Sequence, residues 1–446
     1  MGGICGVSVK DQNAQMITYF AMYSLQHRGE YGCGIASDHN GYIDYEKGHG
    51  LVTNVLNEDI LRLLRGKTAI GHVSNSQKEI PTLQLDPKVL GYNHGAMALV
   101  FDGFLLNYDE LKEIVDKAGV DYENISHTEV VANLIALNYK GDVIEAISET
   151  LKMIKGAYAL ILMTDDILIG SRDRYGIKPL VFGSLNNGYM LASETCSFDA
   201  VSGEFIREIE PGEMLVIEDQ NPRSIQIFEP CCRKSCIFEG IYYARPDSIV
   251  NGVTVYRMRY NSGKILGEAN DIEADVVIGA PDSGTTAAIG YAEGSKIPFG
   301  MGIIKNRYIG RTFIEKGYEK RIDKVRIKLN VLKEVIVGRD VLVVDDSIVR
   351  GTTMKRTVKM LRDAGAKSVH VRIASPMVFY NCKIGVNQSV TGNMLAASHN
   401  LEEIREIIEA DSLEYIGIDE LLEAFGDKNK YCTGCINDRY PIELED

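Results

Sequence analysis

The sequence predicts two domains, a layered α+β domain followed by a doubly wound α/β domain built on a parallel sheet. The first half alternates short apolar segments typical of strands with helical periodicity, at 67–73, 96–101, 130–139, 158–163 and 189–192. In the second half, near-continuous apolar runs at 274–279 and 340–344 each end in an acidic loop containing Ser or Gly, and each precedes a predicted helix. Such runs are typical of parallel strands buried on both faces.

The boundary between the two patterns falls in the segment 220–234, which is rich in Pro, Arg and Ser. We therefore expect domains at 1–232 and 233–446. A chain of 446 residues with 45% hydrophobic content can bury two cores of this size.

Composition excludes several classes of partner. No run approaches the ~18 apolar residues that a membrane span needs, and the first residues lack the layout of a signal peptide. We expect a cytoplasmic protein without a membrane partner. The net charge of −14 argues against nucleic acid, because phosphate backbones require clustered cations.

One stretch has the opposite charge. Between Lys305 and Lys333 there are ten Lys or Arg residues and three acidic residues, a local charge of +7. Charge runs of this kind are usually solvated faces, so a function needs support from neighbouring motifs.

The strongest motif is VLVVDDSIVRGTT at 341–353. Four apolar residues predict a buried strand, and the loop after it begins with Asp345 and Asp346 and ends in small and hydroxyl residues at a helix start. Ligands of open α/β sheets bind beyond the carboxyl ends of strands, and free amides at a helix N-terminus suit a phosphate. The paired carboxylates suit ribose hydroxyls or Mg²⁺. The alternative is two acids that end a core strand beside an ordinary helix cap.

This motif resembles the signature with which type I phosphoribosyltransferases bind phosphoribosyl pyrophosphate (PRPP). The resemblance implies that Asp345 and Asp346 engage the ribose and its Mg²⁺. It also implies a cradle for the 5′-phosphate made of Ser347, Ile348, Val349, Arg350, Gly351, Thr352 and Thr353.

Two further segments are similar to that family. VVIGAPDSG at 276–284 resembles the pyrophosphate loop, with Asp282 as a PRPP contact and Ser283 as a Mg²⁺ contact; alone it would be an ordinary strand-turn-helix joint. The segment 305–314 resembles the catalytic loop that closes over PRPP. Lys305, Arg307 and Arg311 would then stabilise the leaving pyrophosphate, which gives the basic stretch a reason.

Motifs along the whole chain resemble glutamine phosphoribosylpyrophosphate amidotransferases. They are LQHRG at 25–29, GAYALILM at 156–163, ASET at 192–195, PGEM at 211–214 and ARPDS at 244–248. The resemblance implies a glutaminase of the N-terminal-nucleophile (Ntn) hydrolase fold, which passes ammonia to PRPP to form phosphoribosylamine for purine synthesis. It also implies a homo-oligomer and purine nucleotides as inhibitors.

Within the glutaminase half, Cys5 stands where the resemblance expects the nucleophile. A free α-amine beside the thiol can serve as the base, so residues 1–4 would have to be removed. Arg28 matches the arginine that orients this cysteine, and Gly103 is a further candidate in the active-site motif. The alternative is that Cys5 is a buried core residue.

Three positions depart from the family pattern, and all three concern glutamine. Ser74 replaces the arginine that pairs with the glutamine carboxylate, Asp102 replaces an oxyanion-binding asparagine, and His127 replaces the aspartate that takes the α-ammonium. Losing one oxyanion donor typically costs ~10²- to 10³-fold in rate, and an ionised aspartate also repels the developing charge. We expect glutamine hydrolysis to be weak or lost, with free ammonia, a partner's ammonia or another amide as the nitrogen source.

Four of the nine cysteines, Cys236, Cys382, Cys432 and Cys435, align with the ligands of iron-sulfur members of the family. Four thiolates are the usual shell of a 4Fe-4S cluster, and zinc is the alternative. A second interpretation of the whole chain is a non-catalytic PRPP sensor. The catalytic-loop motif favours the enzyme.

Overall fold

The computed structural model describes residues 2–11, 13–39, 41–75, 81–93, 95–120, 125–164, 167–306, 329–385 and 394–444. Among these residues, no helix combines the length and apolar character needed to cross a membrane.

The N-terminal half contains two antiparallel sheets. The strands are β1 Gly2–Val9, β2 Gly32–His39, β3 Tyr42–His49, β4 Thr68–Ser74, β5 Lys88–Tyr92, β6 Gly95–Leu105, β7 Gly156–Met163, β8 Ile167–Arg172, β9 Val181–Leu185, β10 Gly188–Ala192, β11 Glu204–Glu208, β12 Glu213–Glu218 and β13 Asn221–Gln226. The seven-stranded sheet has the order β11-β9-β10-β1-β4-β2-β3, and the six-stranded sheet has the order β13-β12-β8-β7-β6-β5.

These sheets pack face to face with helices on both outer sides. The helices are α1 Ala14–Ser24, α2 Val52–Val55, α3 Glu58–Leu63, α4 Tyr108–Lys117, α5 His127–Asn138, α6 Val143–Met153 and α7 Cys196–Asp199. Ile4 and Ile70 of the first sheet meet Val100 and Ile161 of the second in a fully buried layer. Helix α1 covers the first sheet, and α5 and α6 cover the second. This confirms the predicted layered α+β architecture.

The C-terminal half is built on a four-stranded parallel sheet of order β17-β20-β21-β22. Its strands are β14 Ser235–Cys236, β15 Ile249–Val250, β16 Val253–Thr254, β17 Val276–Gly279, β18 Ile303–Lys305, β19 Leu329–Val331, β20 Asp340–Asp345, β21 Ser368–Ile373, β22 Ser412–Tyr415 and β23 Tyr431–Cys432. Its helices are α8 Val255–Glu268, α9 Thr285–Ser295, α10 Lys333–Ile336, α11 Thr352–Asp363, α12 Leu395–Ser398, α13 Leu401–Ile408, α14 Ile418–Ala424 and α15 Gly434–Asn437.

Helices cover both faces of this sheet, as the apolar runs predict. Helices α8 and α9 pack on one face, and α11 and α13 pack on the other. The central strand β20 is buried along 341–345, which explains why its sequence shows no alternation of apolar and polar residues. The N-terminal sheets end at Gln226 and the next strand begins at Ser235, so the domain boundary at 232/233 remains a prediction within that interval.

Candidate functional site

The carboxyl ends of β17 and β20 bring two loops together. The strands pair in parallel, with Gly279 opposite Val344, so the loop at 280–284 and the loop at 345–351 leave the same edge of the sheet. We call these two loops the carboxyl edge. The amide of Ala280 donates to the carbonyl of Val344 at 2.9 Å, which ties the loops together where they begin.

Gly284 allows the two loops to meet. A Cβ atom at this position would lie 2.5 Å from the carbonyl oxygen of Val344 and 2.8 Å from the Cα of Asp345. Both are backbone atoms, so a larger residue would push the loops apart rather than displace a flexible side chain.

The two acids at the carboxyl end of β20, Asp345 and Asp346, are buried side by side. The amide of Asp346 donates to Oδ1 of Asp345 at 2.9 Å, and the hydroxyl of Ser347 donates to Oδ2 of Asp346 at 2.6 Å. Burial and the neighbouring charge of Asp346 raise the pKa of Asp345 well above its ordinary value. A cation or hydroxyl groups at this position would relieve that cost, because hard oxygen ligands suit Mg²⁺.

The rest of the loop that follows β20 leads to the first residue of helix α11, Thr352, at the same edge of the sheet. Ile348 is buried as an anchor, and the carbonyl of Val349 accepts a hydrogen bond from the amide of Leu395 at 3.0 Å. Gly351 has φ = 73°, a left-handed conformation that favours glycine, immediately before the helix.

Part of this loop is exposed to solvent and carries side chains that can donate hydrogen bonds. Arg350, Thr352 and Thr353 are all exposed. The first amides of a helix have no intrahelical partner, so an anion placed here gains hydrogen bonds and a favourable dipole.

A cation from the basic stretch lies across the edge. Lys305, the last residue of β18, forms an ion pair with Asp282 of the 280–284 loop, next to Ser283. The pair is partly exposed. Arg307 and Arg311, also predicted to act on pyrophosphate, lie outside the described residues.

The four predicted cluster ligands converge near the domain boundary. Strands β14 and β23 pair in parallel, which places Cys236 opposite Cys432, and both are buried. Cys382 packs against both in one apolar cluster. The carbonyl of Cys435 accepts a hydrogen bond from the amide of Phe379 at 3.1 Å, which holds the segment leading to Cys382 beside α15.

The thiols also act on one another electrostatically. Burial, the charge of Glu239 and the other three thiols raise the pKa of Cys236 well above its ordinary value, and burial together with the thiol of Cys382 raises the pKa of Cys432 to about 11. Within the described residues, no three His, Cys, Asp or Glu side chains form a ready-made metal site.

Cys5 lies on the wrong face of its strand for the predicted role. It is 0% exposed, and its thiol donates to the carbonyl of Thr18 in α1 at 3.8 Å. Because side chains alternate along a strand, Gly2 and Ile4 face the second sheet, which carries Asp102, whereas Cys5 faces away from it. Burial raises the pKa of the Cys5 thiol far above its ordinary value. This geometry corrects the prediction of a nucleophile: Cys5 is a core residue.

The segment expected to be removed before Cys5 is part of the sheet. Gly2, Gly3 and Ile4 pair in register with Ser74, Val73 and His72 of β4. Their removal would delete the first three residue pairs of a central strand.

Gly2 occupies the position that the other predicted residues surround. The Nε of Arg28 donates to the carbonyl of Gly2 at 3.1 Å, and the amide of Gly2 donates to Oδ1 of Asp102 at 2.9 Å. A Cβ atom on Gly2 would lie 2.4 Å from Nε2 of His72, so the imidazole occupies the space of a side chain. We call Gly2, Arg28, Asp102 and Lys178 the N-terminal corner.

The charges of this corner are neutralised internally. Lys178 donates to the same Oδ1 of Asp102 at 3.1 Å, and both side chains are at most 3% exposed. Burial alone would raise the pKa of Asp102, but the charges of Lys178 and Arg28 and the amide of Gly2 hold it well below its ordinary value. Asp102 is therefore ionised at neutral pH, and its negative charge would repel an oxyanion that formed beside it.

The other two departures lie beside the corner. Ser74 is buried at the end of β4, opposite Gly2. His127 begins α5, where Nδ1 accepts from the amide of Leu105 at 3.3 Å and the ring lies 4.9 Å from that of Phe104 and 4.8 Å from that of Tyr108.

Burial lowers the pKa of His127 to about 4, so this side chain is neutral where the family pattern has a carboxylate. Gly103, between Asp102 and Phe104, pairs with Tyr158 of β7. A Cβ there would lie 2.7 Å from the carbonyl of Ala157, which accounts for the glycine by packing.

Sequence reasoning missed three charged residues at this site. Lys178 neutralises Asp102, and Glu194 and Glu239 bind Arg28. Glu194 is the single acid of ASET, one of the motifs that carry the resemblance to the family. Its presence in that motif was the available signal that it could pair with Arg28 of LQHRG. Neither Lys178 nor Glu239 belongs to a recognised motif.

Each half of the chain matches a different known protein family. Residues 82–200 match the family described as a glutamine amidotransferase domain, and residues 257–377 match the phosphoribosyl transferase domain family. The chain resembles a solved structure of glutamine PRPP amidotransferase from Bacillus subtilis complexed with ADP and GMP. The TM-score is 0.94 at 40% identity, covering 100% of this chain and 98% of that one.

Curated relatives match over the full length. An amidophosphoribosyltransferase from Archaeoglobus fulgidus is 43% identical over 100% of this chain and 98% of its own length. One from Bacillus subtilis is 41% identical over 97% of this chain and 92% of its own length. These matches confirm the Ntn-type glutamine amidotransferase and type I phosphoribosyltransferase folds, and they establish that the chain belongs to the amidophosphoribosyltransferase family.

Proposed function

We propose that the chain forms 5-phosphoribosylamine from PRPP and ammonia that its own N-terminal domain does not generate. The reaction is the first step of de novo purine biosynthesis. The observation that carries the proposal is the meeting of two loops at the carboxyl edge, with a buried pair of carboxylates beside an open helix start. The alternative of a non-catalytic PRPP sensor draws no support from the relatives, which are named for the enzymatic activity.

In this proposal each part of the carboxyl edge has one task. Asp345 and Asp346 hold the ribose hydroxyls, and the turn from Ser347 to Thr353 holds the 5′-phosphate. The lone pair of ammonia forms a bond to C1 of the ribose as the bond from C1 to pyrophosphate breaks, and one proton is released. Lys305 stabilises the charge that develops on the departing pyrophosphate, and Arg307 and Arg311 have the same predicted task.

Magnesium is part of this proposal. Ser283, Asp345 and Asp346 would supply hard oxygen atoms, the ligands that Mg²⁺ prefers. When bound, Mg²⁺ neutralises pyrophosphate oxygens.

The proposal is tested by incubating the full chain with Mg²⁺, PRPP and ammonium chloride. We expect pyrophosphate and phosphoribosylamine in equal amounts, at a rate that rises with pH as more ammonium becomes ammonia. If Mg²⁺ and PRPP give no binding heat and no product, the assignment is wrong.

The proposal that glutamine is not hydrolysed rests on the N-terminal corner. Lys178 neutralises its carboxylate, Glu194 and Glu239 neutralise its arginine, and the lowered pKa of His127 leaves that side chain neutral. The thiol of Cys5 lies on the opposite face of the sheet. A glutamine analogue with an electrophilic carbon should therefore leave the intact mass of the protein unchanged. A single adduct on Cys5 would overturn the proposal.

We also propose that Cys236, Cys382, Cys432 and Cys435 hold a 4Fe-4S cluster, with zinc as the alternative. Cys236, Cys382 and Cys432 lie in one apolar cluster, and Cys435 follows Cys432 in a C-x-x-C motif, so the chain offers the four thiolates that are the usual shell of such a cluster. Metal analysis of protein purified without oxygen should give about four iron atoms per chain and a visible absorption band. One zinc atom per chain would favour the alternative.

Purine nucleotides as inhibitors and a homo-oligomer complete the proposal. A related solved structure is a complex with ADP and GMP. We expect both nucleotides to slow the ammonia-dependent reaction, and we expect a mass above that of one chain in sedimentation. Unchanged rates and a monomer mass would contradict these two points.

A further inference from the structure

Three of the motifs that resemble the family meet at one buried acid, Glu194. One carboxylate oxygen accepts from Nε2 of His27 at 2.7 Å and from the guanidinium of Arg28 at 2.6 Å. The other oxygen accepts from the amide of Arg245 at 2.9 Å and from the hydroxyl of Ser248 at 2.7 Å. LQHRG, ASET and ARPDS therefore form one hydrogen-bonded unit that extends from the N-terminal domain into the C-terminal domain.

Arg28 extends this unit to a second acid. Its two terminal nitrogens donate to both oxygens of Glu239, at 2.9 and 2.8 Å, and the side chains of Arg28, Glu194 and Glu239 are each 1% exposed. Burial would lower the pKa of Arg28, but the two carboxylates raise it well above its ordinary value. A planar guanidinium can bind one carboxylate with two nitrogens while it contacts another, which a lysine cannot do.

Glu239 begins a π-helical turn, Glu239–Tyr243, that holds a second arginine. Arg259 of α8 donates through Nε to the carbonyl of Gly240 at 2.9 Å and through a terminal nitrogen to the carbonyl of Ala244 at 2.8 Å. Arg259 is buried, and its chain neighbour Met258 packs in one apolar cluster with Ala244 of this turn and with Val344, the residue before Asp345 of the carboxyl edge.

We propose that Arg28, Glu194 and Glu239 form an interdomain clamp that positions Arg259 and helix α8 behind the end of strand β20, where the carboxyl edge begins, and so sets the affinity for PRPP. The clamp fixes the turn at 239–244, and this turn fixes the guanidinium of Arg259. This inference rests on the proposed function, because it gives Glu239 a positioning role in the same PRPP site. It also gives the N-terminal domain a task that needs no glutaminase activity.

The test uses the full chain with Glu239→Gln, which keeps the shape of the side chain and removes its charge. Arg28→Lys is the second, milder variant, because a lysine keeps the charge and loses the two-nitrogen contact. We expect the Kd for PRPP with Mg²⁺, measured by calorimetry, to rise roughly 10-fold in the first variant and about 3-fold in the second. In the ammonia-dependent reaction, KM for PRPP should rise by the same factors while kcat stays within about 2-fold.

Arg233→Gln is the matched control. Arg233 forms ion pairs across the same domain boundary with Glu208 and Glu210, and its remaining hydrogen bond is to Asn251 rather than to the turn that holds Arg259. The Arg233→Gln variant should bind PRPP with wild-type affinity even if its midpoint of thermal unfolding falls.

Three results would count against the clamp. If the control weakens PRPP binding as much as Glu239→Gln does, general loosening of the domain boundary explains the effect and the clamp is rejected. Wild-type affinity in both clamp variants also rejects it. An absence of PRPP binding in the wild-type protein would instead reject the proposed function itself, together with the clamp.

Discussion

The N-terminal corner and the carboxyl edge both contain buried aspartates, but they treat them in opposite ways. At the corner, Asp102 is bound by Lys178 and by the amide of Gly2, and its pKa lies below its ordinary value. At the edge, Asp345 lies beside Asp346, and neither forms an ion pair within the described part of the chain; the pKa of Asp345 is raised. A site whose charges are neutralised internally offers little to a charged ligand. An aspartate kept beside another aspartate is costly, and such arrangements are typical of binding sites.

The largest expected effect follows from breaking the carboxylate pair. Asp345→Asn should lower kcat/KM for PRPP by about 10³-fold, near the upper end for loss of one preorganised polar group. The same variant should unfold at a higher temperature at neutral pH. The folded protein binds the proton of Asp345 more tightly than the unfolded chain does. The wild-type protein therefore loses stability as pH rises above the unfolded pKa of this aspartate, whereas the asparagine variant does not. An assay of the ammonia-dependent reaction measures the change in kcat/KM, and calorimetric unfolding measures the change in stability. Asp363→Asn, at an exposed position, is the control for both.

Breaking the corner should affect stability rather than turnover. Lys178→Met leaves Asp102 buried and unpaired, which should cost ~3–5 kcal/mol of unfolding free energy. Adding Asp102→Asn should recover much of that loss. Urea denaturation measures both, and Lys152→Met, which removes an exposed pair with Glu149, should cost less than ~1 kcal/mol. Equal losses at the two lysines would contradict the account of the corner.

His127, in the N-terminal domain, should give stability a pH dependence of the opposite sign to that of Asp345. Its pKa is lowered to about 4, so the unfolded chain binds this proton more tightly, and stability falls as pH drops from about 6.5 to about 4. The full difference corresponds to roughly 3 kcal/mol. His127→Gln should remove this part of the acid sensitivity in thermal unfolding. The exposed His49→Gln should leave it in place.

A smaller loss of activity is expected from the cation at the edge. Lys305→Met should lower kcat by about 10²-fold, because one group that stabilises the departing pyrophosphate is removed. Lys333→Met, at an exposed position in the same basic stretch, should leave kcat unchanged. Similar rates for Lys305→Met and the wild type would show that the ion pair with Asp282 has no part in turnover.

The smallest effect belongs to Cys5. Cys5→Ala should leave the ammonia-dependent rate unchanged and should cost about 1 kcal/mol of unfolding free energy, as the loss of one buried heavy atom does. A large loss of any activity in this variant would restore Cys5 to the active site.

The carboxyl edge could be predicted because its information is local. The strand, both aspartates and the phosphate turn are contiguous at 341–353, and a parallel strand end fixes where the loop lies. The layered first domain could also be predicted as a class from its apolar segments.

The corner could not be predicted, because its contacts join distant parts of the chain. Lys178 and Asp102 are 76 residues apart, and Arg28 and Glu239 are 211 residues apart. Cys5 was misassigned for the same reason: which face of β1 points towards Asp102 depends on how two sheets pack, and a shift of one residue reverses the face. A buried acid such as Glu239 leaves no periodic signal in its own neighbourhood.

The most direct test compares two nitrogen sources in one assay. The wild-type protein is supplied with Mg²⁺ and PRPP together with either ammonium or glutamine, and both phosphoribosylamine and glutamate are measured. The account predicts phosphoribosylamine with ammonium only, and no glutamate above the blank with or without PRPP. Glutamate and phosphoribosylamine formed in equal amounts from glutamine would contradict it.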